Sequence, residues 1–288
     1  MKNESVVRPS PIAGRWYPAD SHRLASQVDG YLQAANLPPI TGEVIAVMAP
    51  HAGLIYSGPV AGYAFAVLKE LQPELVAVIS PLHDYYPQPL LTTTHQAYTT
   101  PLGMVDVDHE ALQMVDKHIK QNLGFGLTPI AFDAEHSLEI ELPFLQRVFQ
   151  QKFKILPVMV RDPSQRVTRA LGEALAAVLS DRKAVLVAST DLSHFYSQAM
   201  AKVLDTEMLR QVEDFNPEGV IEIEDEGRGF ACGRGALSAV MWAALGLGAN
   251  QARLLHYATS AEVTGDYRQV VGYGAAVFLR TLEAEHKN

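Results

Sequence analysis

The sequence predicts an α/β fold, a single-domain sandwich whose central sheet, mostly parallel or mixed, is flanked by helices. Two observations predict it. The apolar runs rich in Val and Ile are continuous rather than alternating, which is the pattern of strands covered on both faces. These runs also take turns along the chain with longer stretches of helical period, the order that builds a sheet through helical crossovers.

Taken in order, Ser21 is expected to cap a helix running to about residue 35. Residues 44–48 read as the first buried strand, and Pro59 suits the first turn of a helix reaching about residue 71. Residues 75–80 form the next strand. A helix over 109–122 stops before Gly124, and a shorter one spans 143–150. Residues 155–160 read as a strand, with Pro157 pushing it toward a sheet edge or a strand start. A helix over 167–179 leads into a strand at 184–189. Helices at 199–213 and 235–245 follow, then a weaker strand at 254–258 and a firmer one at 272–279. The prolines at 38–39 and 87–89 mark loops too short to be interdomain linkers. Residues 1–288 are therefore read as one domain, with 1–12 as an extended arm.

A chain of 288 residues that is 48% hydrophobic and 19% charged buries its own core without staples. A formal net charge of −9 and a pI near 5.6 argue against nucleic-acid binding, which wants a basic face. No apolar run approaches the roughly 20 residues that span a bilayer. The polar N-terminus lacks a signal-peptide core. The single cysteine, Cys232, excludes an intramolecular disulfide and fits a reducing compartment, so the expected location is the cytoplasm.

Four short islands carry the chemistry: Ala49-Pro50-His51-Ala52-Gly53, Ser80-Pro81-Leu82-His83, Asp191-Leu192-Ser193-His194 and Ala231-Cys232-Gly233-Arg234. Three of them directly follow a strand-like run, at the strand end where open α/β sheets place ligands. Imidazole, thiolate and carboxylate delivered from separate strand ends can build a mononuclear metal site. His51 and His83, if they leave adjacent strands about 4.8 Å apart, can share one ion. Asp191 and His194 would lie on one face if their turn opens a helix. Asp191 then coordinates, orients a histidine or caps the turn, and His194 serves as acid–base near neutral pH. Cys232 stands just before a helix whose N-terminus favours thiolate, although a lone cysteine is also an ordinary core residue. Arg234 holds substrate or is solvated. His136, within Asp133-Ala134-Glu135-His136-Ser137-Leu138-Glu139, is a pocket donor or acid, or a surface histidine in a loop. No phosphate-binding glycine loop, His-Glu-x-x-His or Gly-x-Ser-x-Gly motif competes.

With these islands joined by Ala13-Gly14-Arg15-Trp16-Tyr17-Pro18, Tyr56-Ser57-Gly58, Leu142-Pro143 and Ser189-Thr190, the chain resembles the Memo family, whose prokaryotic members are called AmmeMemoRadiSam system protein B. The resemblance runs through nearly the whole chain. It implies a fold like that of class III extradiol dioxygenases, which use non-heme iron. It also implies His51, His83 and Cys232 as metal ligands, with Asp191, His194 and His136 as catalytic residues around them. Cys232 would stand where those dioxygenases carry glutamate, and Ser80 stands where the family usually has glycine. The implied cofactor is a divalent or redox metal ion, iron before copper or zinc. The implied function is that of an oxygen-linked, metal-dependent oxidoreductase. A metal-assisted hydrolase and a non-catalytic metal- or peptide-binding protein are the alternatives. The family name further implies AMMECR1-like and radical SAM proteins as partners.

Overall fold

The computed structural model describes residues 6–281. Its elements begin with β1 (Val7–Arg8), α1 (Ser21–Ala34), β2 (Glu43–Ala49), α2 (Leu54–Ala66) and β3 (Leu75–Pro81). Then come β4 (Leu90–Thr93), β5 (Ala97–Thr100), β6 (Gly103–Val107), α3 (His109–Leu123) and β7 (Thr128–Ile130). A 3-10 turn at Glu139–Glu141 leads into α4 (Leu142–Val148), β8 (Lys154–Val160), α5 (Gln165–Leu179) and β9 (Ala184–Ser189). The last stretch holds β10 (His194–Tyr196), α6 (Gln198–Glu213), α7 (Pro217–Asp225), α8 (Arg234–Gly246), β11 (Gln251–Thr259), α9 (Ala261–Thr264) and β12 (Val270–Arg280).

Among the described residues one mixed sheet runs in the order β1-β5-β6-β8-β3-β9-β2-β12-β10, with β11 beside β12 and β4 joining β8 to β7. Its centre is parallel: β8 with β3, β3 with β9, and β9 with β2. Every residue of β3 is buried, as its unbroken apolar run requires. Helices α1, α2 and α4 pack together on one side, and α5 packs on α8 and α3 on the other. The α/β sandwich read from the sequence is the observed architecture. Among the described residues no helix is long and apolar enough to cross a membrane.

Several local expectations are corrected. Asp20, not Ser21, caps α1, its carboxylate accepting the Arg23 N–H. Helix α2 starts at Leu54, because the Gly53 carbonyl already accepts the N–H groups of Tyr56 and Ser57. Pro59 therefore lies inside the helix and forfeits one early backbone bond. Pro157 does not mark an edge: β8 is interior, but β6 pairs with Lys154–Ile155 and β4 with Met159–Val160, so the proline falls in the gap between them. Of the arm expected at 1–12, residues 1–5 lie outside the described residues, and Val7–Arg8 pair in parallel with β5. The short strands β4 to β7 and helix α7 were not evident from periodicity, being only a few residues long or enclosed between prolines and glycines.

The α1–α2 contact rests on a glycine. A Cβ on Gly62 would sit 2.5 Å from the Tyr31 carbonyl oxygen. Gly62→Ala should push α1 off α2 and cost about 1–3 kcal/mol in urea unfolding. Unchanged stability would show that the helices part freely.

Candidate metal centre

The parallel register sets the stage. Ala49 of β2 is level with Ser189 of β9, and Ile79 of β3 with Ala188. The chains leaving β2, β9 and β3 consequently turn at one level, carrying His51, Asp191 and His83. His51 and His83 do not come from adjacent strands as expected, since β9 lies between β2 and β3. Their turns still lean together, and the two rings meet edge to face with centroids 5.3 Å apart.

His51 is the fixed point. It is 1% exposed. Its backbone N–H donates to Asp191 Oδ1 at 2.7 Å, its Nδ1 lies 2.9 Å from Ser189 Oγ, and its Nε2 is 3.1 Å from Cys232 Sγ. Burial holds its pKa well below the usual value, helped by His83 and His136, so the ring is neutral. His83 forms the open side of the site, its side chain 38% exposed.

Glu135 organises the other two histidines. It accepts the His83 N–H at 2.6 Å and lies 3.0 Å from His83 Nδ1. It also accepts the N–H groups of His136 and Ser137, both at 2.8 Å. Burial alone would lower the His83 pKa, but the Glu135 carboxylate outweighs it and raises it. Burial would raise Glu135, yet its partners hold it below the usual carboxylate range. His136 stacks on His83 at 4.6 Å and lies tilted against Trp16 at 4.0 Å, and burial pushes its pKa down to about 4. Trp16 is itself tied in, its carbonyl accepting the Leu54 N–H.

One ring nitrogen each from His51, His83 and His136 lies within 4.8 Å of the other two, a group able to hold a metal ion. The donor chemistry fits: Nδ1 of His51 and of His83 are engaged, which leaves Nε2 of each as the ligand atom. Cys232, expected as a ligand, is not in that group, but its Sγ lies 3.1 Å from His51 Nε2 and accepts the Asp191 N–H at 3.3 Å. The helix N-terminus does not make it a thiolate here. Burial, with Asp191 nearby, pushes the thiol well above its usual pKa. Asp191 is likewise raised, to about 7, chiefly by burial. A bound cation would draw both of these raised pKa values back down.

The turn after β9 does not open a helix. Leu192 N–H bonds the Gly272 carbonyl, and His194 begins β10 against β12. The Asp191 carboxylate therefore reaches back to His51, while the His194 ring sits edge-on to Phe230 at 5.4 Å. Burial lowers the His194 pKa, opposed by the Leu192 backbone. Phe195 beside it holds a φ of 62°, a conformation that costs a bulky residue about 1–3 kcal/mol. Arg234 bonds Asp225 at 2.6 Å and so holds the end of α7.

Sequence reasoning passed over Glu135, Ser189, Glu139 and Glu141. All four are buried. Arg8, 2% exposed, pairs with Asp133 and Glu139 at 2.6 Å and donates to the Glu135 carbonyl, which locks the loop that carries Glu135 and His136. The available signal was the run of acids at 135, 139 and 141 among apolar residues, since acids there are not exposed to water.

The family described as Memo-like protein matches residues 8–277. The MEMO1 family protein of Nitrosopumilus maritimus is 34% identical over 95% of this chain and all of its own length. That of Methanopyrus kandleri is 37% identical over 96% of this chain and all of its own. The crystal structure of an uncharacterized protein from Escherichia coli K12 shares the fold, with a TM-score of 0.51 at 10% identity, covering 82% of this chain and 100% of that one.

The Glu135 carboxylate should be visible in solution. His83 is expected to titrate above 6.5 by NMR in the metal-free chain and to fall in Glu135→Gln, which removes the anion. A His83 midpoint at or below 6.5 in the wild type would contradict the contact.

Proposed function

The chain belongs to the Memo-like protein family, and from that premise we propose that its histidine pocket binds one metal ion and serves oxygen-linked redox chemistry on a substrate still to be identified. The observation that carries the reading is the convergence of three imidazoles within 4.8 Å, with Cys232 Sγ in contact with one of them. His51 and His83 are ligands in this reading, and Cys232 and His136 compete to complete the set. A mixed nitrogen and sulfur set suits iron, copper or zinc, with iron foremost here. When bound, the ion supplies Lewis acidity and, if redox-active, electron transfer.

The protein's own groups do the rest. Glu135 orients His83 and His136. Asp191, with a pKa near 7, holds or releases a proton beside His51. His194, on the Phe230 side, serves as a second proton carrier. The exposed edge of His83 is the side from which substrate arrives. Family context extends the proposal to action beside AMMECR1-like and radical SAM proteins.

A hydrolytic use of the same pocket is the second reading. Three imidazoles are a donor set of catalytic zinc, and Asp191 at about 7 suits a base.

Anaerobically purified protein should carry one metal per chain. His83→Ala should abolish loading and Cys232→Ser should reduce it. Unchanged metal content in both variants overturns the site. Turnover that needs oxygen and fails with zinc favours the redox reading, and full activity with zinc favours the hydrolytic one. Because Glu135 raises His83, protons compete for it early. Metal affinity should fall as pH drops through the His83 pKa, above 6.5, and the loss should move to lower pH in Glu135→Gln.

A further inference from the structure

Glu141 is 0% exposed and takes no part in the chemistry above. Its Oε1 lies 2.7 Å from Ser189 Oγ, while its Oε2 is buried without a hydrogen-bond partner. Ser189, also fully buried, is at the same time 2.7 Å from the Ser137 carbonyl oxygen and 2.9 Å from His51 Nδ1.

A hydroxyl has one proton and two lone pairs. The Ser137 carbonyl can only accept, so the Ser189 proton goes there. Both remaining neighbours must then donate to Ser189 Oγ. His51 Nδ1 has to carry its proton, and so does Glu141 Oε1. The alternative sends the Ser189 proton to an ionised Glu141. That leaves a buried anion with one oxygen unpaired.

We infer that Glu141 is a neutral carboxylic acid that acts as a positioning residue: through Ser189 it holds His51 in the Nδ1–H tautomer and presents Nε2 to the metal pocket. Burial independently pushes the Glu141 carboxyl well above its usual range. The orphaned Oε2 is then the carbonyl oxygen of an acid, cheaper to bury than half of a carboxylate. The chain Glu141–Ser189–His51 parallels the partners that commonly orient metal-binding histidines, with the polarity reversed, because an acid here donates inward. The inference rests on reading His51 as a metal ligand.

Two measurements on metal-free wild-type protein test it directly. Infrared spectra should contain a protonated-carboxyl band that is absent in E141Q. Nitrogen-15 spectra should show His51 protonated at Nδ1 and bare at Nε2. Zinc titrations extend the test: S189A and E141L should bind zinc about 10–100-fold more weakly. In E141Q the amide N–H replaces the acid donor and should restore wild-type affinity. An ionised Glu141 at neutral pH, an Nε2–H His51, or E141Q as weak as E141L would overturn the inference. H51A that keeps its zinc would instead overturn the metal assignment. Zinc that needs His51 and ignores Glu141 would overturn the positioning role alone.

Discussion

The parallel pairing of β3, β9 and β2 is the constraint on which the site depends. Parallel strands in register end at a common level, so the turns that follow must compete for one small volume. Ala49 against Ser189 and Ile79 against Ala188 fix that level. The fourth contributor docks by close approach: a Cβ on Gly233 would stand 2.4 Å from the Ser189 carbonyl oxygen. Glycine after Cys232 is what lets that turn press against the end of β9 and bring its sulfur to His51.

Packing so many polar groups together demands a proton balance. Burial favours neutral forms, and three groups follow: His51 stays unprotonated, Cys232 keeps its proton, and the Asp191 carboxyl is raised to about 7. Glu135 is the exception, because three backbone N–H groups and the His83 ring converge on it. Its charge is affordable only in a fixed loop, and Arg8 fixes that loop from the edge of the sheet. The N-terminal strand thus reaches the site through an ion pair rather than through packing.

The fold was legible because burial on both sheet faces writes itself into composition. Residues 75–80 and 184–189 could be little other than core strands. The short strands β4 to β7 were not legible, since a few residues carry no period. Pro157 misled because the sequence cannot reveal that its two neighbours on that side, β6 and β4, leave a gap at that residue.

By itself the sequence determined the α/β layers, the strand ends and the candidate residues His51, His83, His136, Asp191, His194 and Cys232, since residue type and apolar run length are local properties. Only the tertiary structure decided which of these meet. It set β9 between β2 and β3, turned Asp191 toward His51 and His194 toward Phe230, and drew His136 against His83. It also buried Glu135 and Glu141, whose chemistry depends on neighbours about 50 residues away in sequence. Hydrogen-bond partners and desolvation are properties of the folded surroundings, and no local pattern encodes them.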